Sequence, residues 1–394
     1  MTDTALLAVL LAAIAGLVAG RAGARALRMG RLSGRAGLRT SRHYTQGLHY
    51  LASGQVDLAA SELAKASRSE PDALEIQLVL GNLLRESGQM ERAIRVHQGL
   101  LDRQDLSRGE RAHALVCLGM DLRKAGFIDR ATRTFEEVLD IDPKNIHALV
   151  GLEELHEEQR QWRQAYDLVA LVSRLRKTED SVVLGFLQAE IGHEAAQAGR
   201  ADDAGAAYES ALALDRRVFP AHLGLADLHA VSDPRRAAAL LEAAVQASPE
   251  RAYLAFDRLS RAYAACGEPS RLASLCEKII RQDQNDWRAR LALARHLRGE
   301  GRPDEAFGLV LRALETNPQV LLAHLEMWLT LRALGVRGEA VDRYVDTAES
   351  SVFYLDPHIC TACRYRADDM LWRCPHCHEW NTFVEERVGP RTGP

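Results

Sequence analysis

The sequence predicts an all-α chain of stacked helical hairpins that ends in a small metal knuckle, and three observations lead there. Alanine and leucine dominate, aromatic residues make up only 6%, and 12 prolines occur in 394 residues, a balance that favours helix over sheet. A small residue returns at intervals close to 34 positions through most of the chain. Four of the seven cysteines are gathered in two C-x-x-C pairs near the C-terminus. With 47% hydrophobic and 26% charged residues the chain is not a disordered tail, and its length suits two or three domains or one extended array.

The first element is a membrane anchor, residues 1–20. "TALLAVLLAAIAGLVAG", Thr4 to Gly20, runs seventeen residues without a charge, short but sufficient to span a bilayer at a rise of about 1.5 Å per residue. A secretory leader carries its positive charge before the apolar run, whereas here Asp3 precedes it and the arginines follow. Residues 21–42 form a basic juxtamembrane segment with Arg21, Arg25, Arg28, Arg31, Arg35, Arg39 and Arg42. That collar holds its side of the membrane in the cytoplasm beside anionic lipid, so the rest of the chain is expected there. The overall net charge of -4 therefore hides an acidic body behind a positive collar, which points to a membrane surface and not to nucleic acid. Ala8, Ala12, Gly16 and Gly20 recur every four residues, a smooth stripe that would let another transmembrane helix approach closely.

Residues 43–350 carry the repeat. Gly47, Gly81 and Gly119 are each followed twelve positions later by Ala59, Ala93 and Ala131, and nineteen later by Ala66, Leu100 and Val138. The small residue continues through Ala165, Ala204, Ala237, Leu272, Ala306 and Ala340, with successive spacings of 34, 38, 34, 39, 33, 35, 34 and 34. Thirty-four is the period of tetratricopeptide repeats, so the expected fold is a superhelix of about nine helix–turn–helix units, the fourth and seventh degenerate. Small side chains let the two helices of a unit pack closely. "ESGQMERA", "KAGFIDRA", "QAGRADDA" and "GEGRPDEA" each offer a glycine to end one helix and a polar or acidic residue to open the next. The two wider spacings are expected to be longer loops, one of them at "DRQDLSRGE".

A solenoid of this kind presents a long groove and no closed pocket of its own, and its usual work is to hold protein segments. Asn82, Arg85, Arg123 and Lys124, on first helices of the second and third units, are expected to face that groove and are candidate contacts for an acidic or C-terminal peptide. No phosphate-binding glycine loop, G-x-S-x-G or H-E-x-x-H occurs, so nothing marks an enzyme. Histidines such as His97 and His222 read as packing or surface residues, and Cys117, Cys266 and Cys276 as small buried hydrophobes.

Residues 351–394 hold the knuckle. Cys360, Cys363, Cys374 and Cys377 follow C-x2-C-x10-C-x2-C, two tight turns that each aim two thiolates at one point and together make a tetrathiolate site. Zinc and a single rubredoxin-type iron both suit four sulfurs, and the reduced thiols agree with a cytoplasmic location. His358, His376 and His378 lie nearby, but the shell is complete without them. About thirty residues bury little, so ligation must supply much of the folding energy, on the order of 10 kcal/mol. Trp372, Trp380, Tyr365 and Phe383 are expected to cover the site or dock it on the helices, and Arg364 stands where such turns often carry glycine.

"LGNLLRESGQMERAIRVHQGLL" and "LWRCPHCHEW", within this architecture, resemble the lipopolysaccharide assembly protein B family of Gram-negative bacteria. The resemblance covers essentially the whole chain. It implies an inner-membrane, single-pass adaptor that cleaves nothing itself and presents the deacetylase committing precursors to lipid A to a membrane AAA metalloprotease. Cys360, Cys363, Cys374 and Cys377 correspond to that family's metal ligands, and Arg364 departs from its glycine. Two other readings stand beside this one: an iron-containing electron-transfer protein, and a scaffold that gathers biosynthetic enzymes without proteolysis.

Overall fold

The computed structural model describes residues 42–318, 320–336, 338, 343 and 358–385. The expected anchor, the stripe Ala8, Ala12, Gly16 and Gly20, and the arginine collar up to residue 41 lie outside the described residues, as does Ala340. Among the described residues no helix is long and apolar enough to cross a membrane. The chain divides into two compact units between Gly151 and Leu152.

In the first unit α1 (Arg42–Ala52) packs on α2 (Val56–Ser69), α3 (Leu74–Glu86) on α4 (Met90–Leu101), and α5 (Arg108–Lys124) on α6 (Ile128–Ile141). Next in sequence come α7 (Ile146–Glu158) and α8 (Trp162–Arg176). In the second unit α9 (Ser181–Gln197) packs on α10 (Ala201–Leu214) and α11 (Phe219–His229) on α12 (Pro234–Ala247). A 3-10 turn, Pro249–Ala255, then leads into α13 (Phe256–Ala265), which meets α14 (Arg271–Gln282). Finally α15 (Trp287–Gly299) packs on α16 (Pro303–Thr316), and α17 (Leu321–Ala333) on α16.

The tracked small residues are the inner ladder of these hairpins. Ala59, Ala93, Ala131, Ala165, Ala204, Ala237, Leu272 and Ala306 are all at most 4% exposed. One helical turn further on, Leu63, His97, Phe135, Val169, Tyr208, Leu241, Cys276 and Val310 are buried too. This second series varies in size, and glycines on first helices make room for its largest members. A methyl group on Gly119 or Gly151 would stand 2.6 or 2.5 Å from the Phe135 ring, and one on Gly192 would stand 2.7 Å from the Tyr208 ring. His97 fills the same place against Gly81.

Most turns that end a first helix share one closure, the turn between α11 and α12 excepted, where Asp233 N–H donates four residues back to His229 O. Gly54, Gly88, Gly126, Gly199, Gly267, Gly301 and Gly335 all take positive φ between 71 and 89°. The next amide donates to the carbonyl five residues back, as in Gln89 N–H to Leu84 O at 2.8 Å and Arg200 N–H to Ala195 O at 2.9 Å. In the degenerate fourth hairpin Arg160 adopts φ 56° in place of glycine and the same bond forms, from Gln161 to His156. The seventh departs in the 3-10 turn and the shortened α13.

Two expectations need correction. The residues opening second helices at Gln89, Phe127, Arg200 and Arg302 make no side-chain cap. Acids sit instead in the first turn, at Glu91, Asp129, Asp202 and Asp304, where they complement the helix dipole. The wider spacings are also mostly helix: α5 and α9 have 17 residues where α3 has 13, and the loop before α9 is as short as its neighbours. Four added residues are about one full turn, so the buried face keeps its direction. Before α5 the loop does lengthen, and Ser107 and Glu110 close it with a reciprocal capping box.

After the helices comes a three-stranded antiparallel sheet, the only strands among the described residues. β1 (His358–Cys360) lies between β2 (Arg366–Ala367) and β3 (Phe383–Glu385), with His358 opposite both Ala367 and Glu385 and Cys360 opposite Phe383.

Candidate metal centre and its docking site

Each C-x-x-C pair sits on a tight turn of this ribbon. The four sulfurs of Cys360, Cys363, Cys374 and Cys377 lie within 4.8 Å of one another, with Cys360–Cys377 at 3.6 Å and Cys363–Cys374 at 3.5 Å. A tetrahedron with metal–sulfur bonds of about 2.3 Å has edges of about 3.8 Å, so the thiols fit one four-coordinate ion, zinc or iron. They are the only such cluster among the described residues. Of the nearby histidines, His358 directs Nδ1 to the Asp368 carbonyl at 3.2 Å, and His376 stacks on Tyr365.

The backbone is arranged for thiolates. Every sulfur accepts an N–H from two residues ahead: Cys360 from Ala362, Cys363 from Tyr365, Cys374 from His376 and Cys377 from Glu379. The turn that aims these amides requires a left-handed residue after each second cysteine. Arg364 and His378 supply it at φ 67 and 62°. Arg364, which stands where such turns often carry glycine, therefore bears a strained backbone, and His378 repeats it.

Loss of solvation pushes Cys377 up to about 12, and Cys363 is raised by the same cause. At Cys360 desolvation acts upward as well, but hydrogen bonds from Thr382 and from the Cys363 and Ala362 amides prevail and bring it to about 6. A bound cation would favour the thiolates over the thiols, close the shell while offsetting only part of the four negative charges, and leave no position for substrate. Away from the ribbon, burial raises Cys117 to about 11 and Cys276 to about 12, as inert core thiols behave.

The knuckle is fixed to the helices of the second unit by groups next to its ligands. Glu157 on α7 is 3% exposed; its Oε2 lies 2.6 Å from Arg373, the residue before Cys374, and its Oε1 accepts from Trp380 Nε1 at 2.9 Å. Burial raises the pKa of Glu157, opposed by the Arg373 charge and the Trp380 hydrogen bond. Trp380 stacks on Phe186 at 5.8 Å and meets Trp162 edge-on at 6.2 Å, while Trp372 stacks on Phe219 at 6.3 Å. Arg251 covers the Trp372 ring and donates to Asn381, and Arg288 pairs with Glu385. The aromatic residues thus divide: Trp372 and Trp380 dock the ribbon, Phe383 is its buried centre, and Tyr365 is 41% exposed. Docking also leaves a cavity on either side of the ribbon, about 500 Å³ beside Trp287 and His358 and about 1040 Å³ beside Trp162 and Trp372. Sequence reasoning missed both, together with Glu157, because no local pattern marks a carboxylate that meets its partners more than two hundred residues later.

The four groove candidates lie in the first unit. Arg85 donates to the fully buried Asp121 at 2.9 Å, and the other oxygen of Asp121 meets His97 Nδ1 at 2.5 Å. Asn82 and Arg85 flank the Cys117 thiol, Arg123 is half-buried with a partner, and Lys124 reaches Glu86 at 3.5 Å.

Hairpins of this period and a four-thiol ribbon define a tetratricopeptide-repeat protein with a rubredoxin-type metal-binding domain. Family models agree, tetratricopeptide repeat at residues 44–106 and 272–320 and rubredoxin metal binding domain at residues 358–385. The particular likeness is to lipopolysaccharide assembly protein B. The Escherichia coli protein of that name is 24% identical over 348 residues, 88% of this chain and 89% of its own. That of Haemophilus influenzae is 24% identical over 356 residues, 87% of this chain and 89% of its own. Among solved structures, the C-terminal part of a repeat protein from Cytophaga hutchinsonii covers 72% of this chain and 99% of its own, at 12% identity and a TM-score of 0.42.

Proposed function

We propose that this chain is a non-catalytic adaptor of the bacterial inner membrane that regulates lipopolysaccharide biosynthesis. In this reading it presents the deacetylase that commits precursors to lipid A to a membrane AAA protease. The observation that supports it most is the likeness to lipopolysaccharide assembly protein B along nearly nine-tenths of both chains, beside the match of residues 358–385 to a rubredoxin metal binding domain. A coordinatively closed metal and a repeat scaffold suit gathering partners better than transforming them. The apolar run Thr4–Gly20 tethers the assembly, with Ala8, Ala12, Gly16 and Gly20 as the face for another inner-membrane protein and the arginine collar against anionic lipid. Asn82, Arg85, Arg123 and Lys124 are the proposed client contacts of the first unit. Tethering raises the effective concentration of client and protease to about the millimolar range.

The test is the lifetime of the deacetylase after depletion of this protein. It should lengthen severalfold, be restored by the native chain, and not be restored by Cys374→Ser. An unchanged lifetime sinks the adaptor and leaves the scaffold reading. The four N–H···S bonds also suit an iron site, which gives the electron-transfer alternative its footing. A visible absorption band that bleaches on reduction, with loss of function in a zinc-only form, would favour it.

A further inference from the structure

The larger cavity beside the ribbon is built like a receptor. Its floor crosses α7, α9, α11 and α13, the first helices of four successive hairpins, and Met370 to Trp380 of the ribbon form the facing wall. At about 1040 Å³ it slightly exceeds the usual range for small-ligand sites, about 300–1,000 Å³. Steps of about 8–10 Å between neighbouring helices make a trough on the order of 25 Å, the span of roughly eight extended residues.

Charged groups along this trough differ in one respect. Glu157 is held by Arg373 and Trp380, and Asp227 by Nε and Nη2 of Arg258 at 2.9 and 3.0 Å. Glu190, half-buried on α9 between them, has no hydrogen bond or ion pair among the described residues; the charges of His193 and Arg160 act on it, and its own charge bears on Tyr208 of α10. Burial raises its pKa against the pull of those two charges, the mark of a carboxyl group short of solvent and without a direct partner. Leaving such a group unpaired is costly, and a cation brought by a ligand would remove the cost. Trp162, Tyr208, Leu223 and Trp372 around it offer apolar and aromatic walls for the neighbours of that cation.

We propose that this trough binds an extended segment of a partner protein in which an arginine or lysine stands between apolar side chains, with Glu190 receiving the cation. The proposal rests on the adaptor reading and gives its client a chemistry. It is tested with the purified full chain and three blocked peptides, Ser-Gly-Leu-Arg-Leu-Gly-Ser and the versions with Gln or Glu in place of Arg, followed by tryptophan emission. The arginine peptide should bind about tenfold tighter than the glutamine peptide, and tighter still as pH rises and Glu190 ionises. Glu190→Gln, confirmed as folded by its helical signal, should erase that preference, whereas Asp202→Gln, at an exposed acid of α10 that does not line the trough, should keep it. Equal affinity for the arginine and glutamine peptides, a preference that survives Glu190→Gln, or no saturable signal up to about 10 mM overturns the proposal. Neither deacetylase nor protease is present, so this failure is distinct from an unchanged deacetylase lifetime.

Discussion

Arg364 and His378 occupy equivalent places, each directly after the second cysteine of a pair and each left-handed. A side chain in that conformation costs about 1–2 kcal/mol, which glycine avoids at some expense in unfolded-chain entropy. Arg364→Gly should therefore stabilise the ribbon by about 0.5–1 kcal/mol, measured as slower metal loss to a chelator and a higher melting temperature. An unchanged or lower stability would mean that the Arg364 side chain earns its place by a contact of its own. At this scale the sequence was readable where chemistry is local. The cysteine spacing disclosed all four ligands and Arg364 disclosed its departure from glycine. The matching strain at His378 is not legible in the sequence, because only the backbone shows that the two turns are equivalent.

At the scale of elements, the ribbon and α7 are joined through one carboxylate. Glu157 faces Arg373 and Trp380, both part-buried, so Glu157→Ala strands a guanidinium and an indole N–H together. Breaking such a pair from one side costs about 3 kcal/mol or more. The variant should keep its helical content while hydrogen exchange quickens across residues 358–385, and metal should leave faster. Protection equal to that of the native protein would show that aromatic stacking alone holds the ribbon. The hairpins were legible as elements because a strict buried small residue repeats along the chain. Two lengths were misjudged: the added residues of α5 and α9 extend helix by a turn, an insertion that preserves the buried face and so leaves no break in the hydrophobic pattern.

For the molecule as a whole, helices and ribbon draw their stability from different sources. Hairpin cores are built from contacts between neighbours in sequence, whereas the ribbon buries little beyond His358, Ile359, Cys360, Cys374 and Phe383 and depends on ligation. Stripping the metal with a strong chelator should leave far-ultraviolet helicity nearly intact and shift tryptophan emission to the red as Trp372 and Trp380 leave Phe186 and Phe219. Loss of helicity in step with the metal would show instead that the hairpins of the second unit need the ribbon to fold. Reloading should release protons, since Cys377 and Cys363 are held protonated until a cation arrives. Titration in two buffers of different ionisation enthalpy measures that release.

The sequence by itself determined the repeat, its small-residue ladder, its glycine turns and the four thiols, because each depends on spacing along one stretch of chain. Only the tertiary structure decided where the knuckle rests, which acid holds it and which acid beside it is left without a hydrogen bond or ion pair. Those facts depend on residues far apart in the chain, such as Glu157 and Trp380, whose pairing is fixed by desolvation and geometry in the folded state and leaves no periodic trace in the sequence.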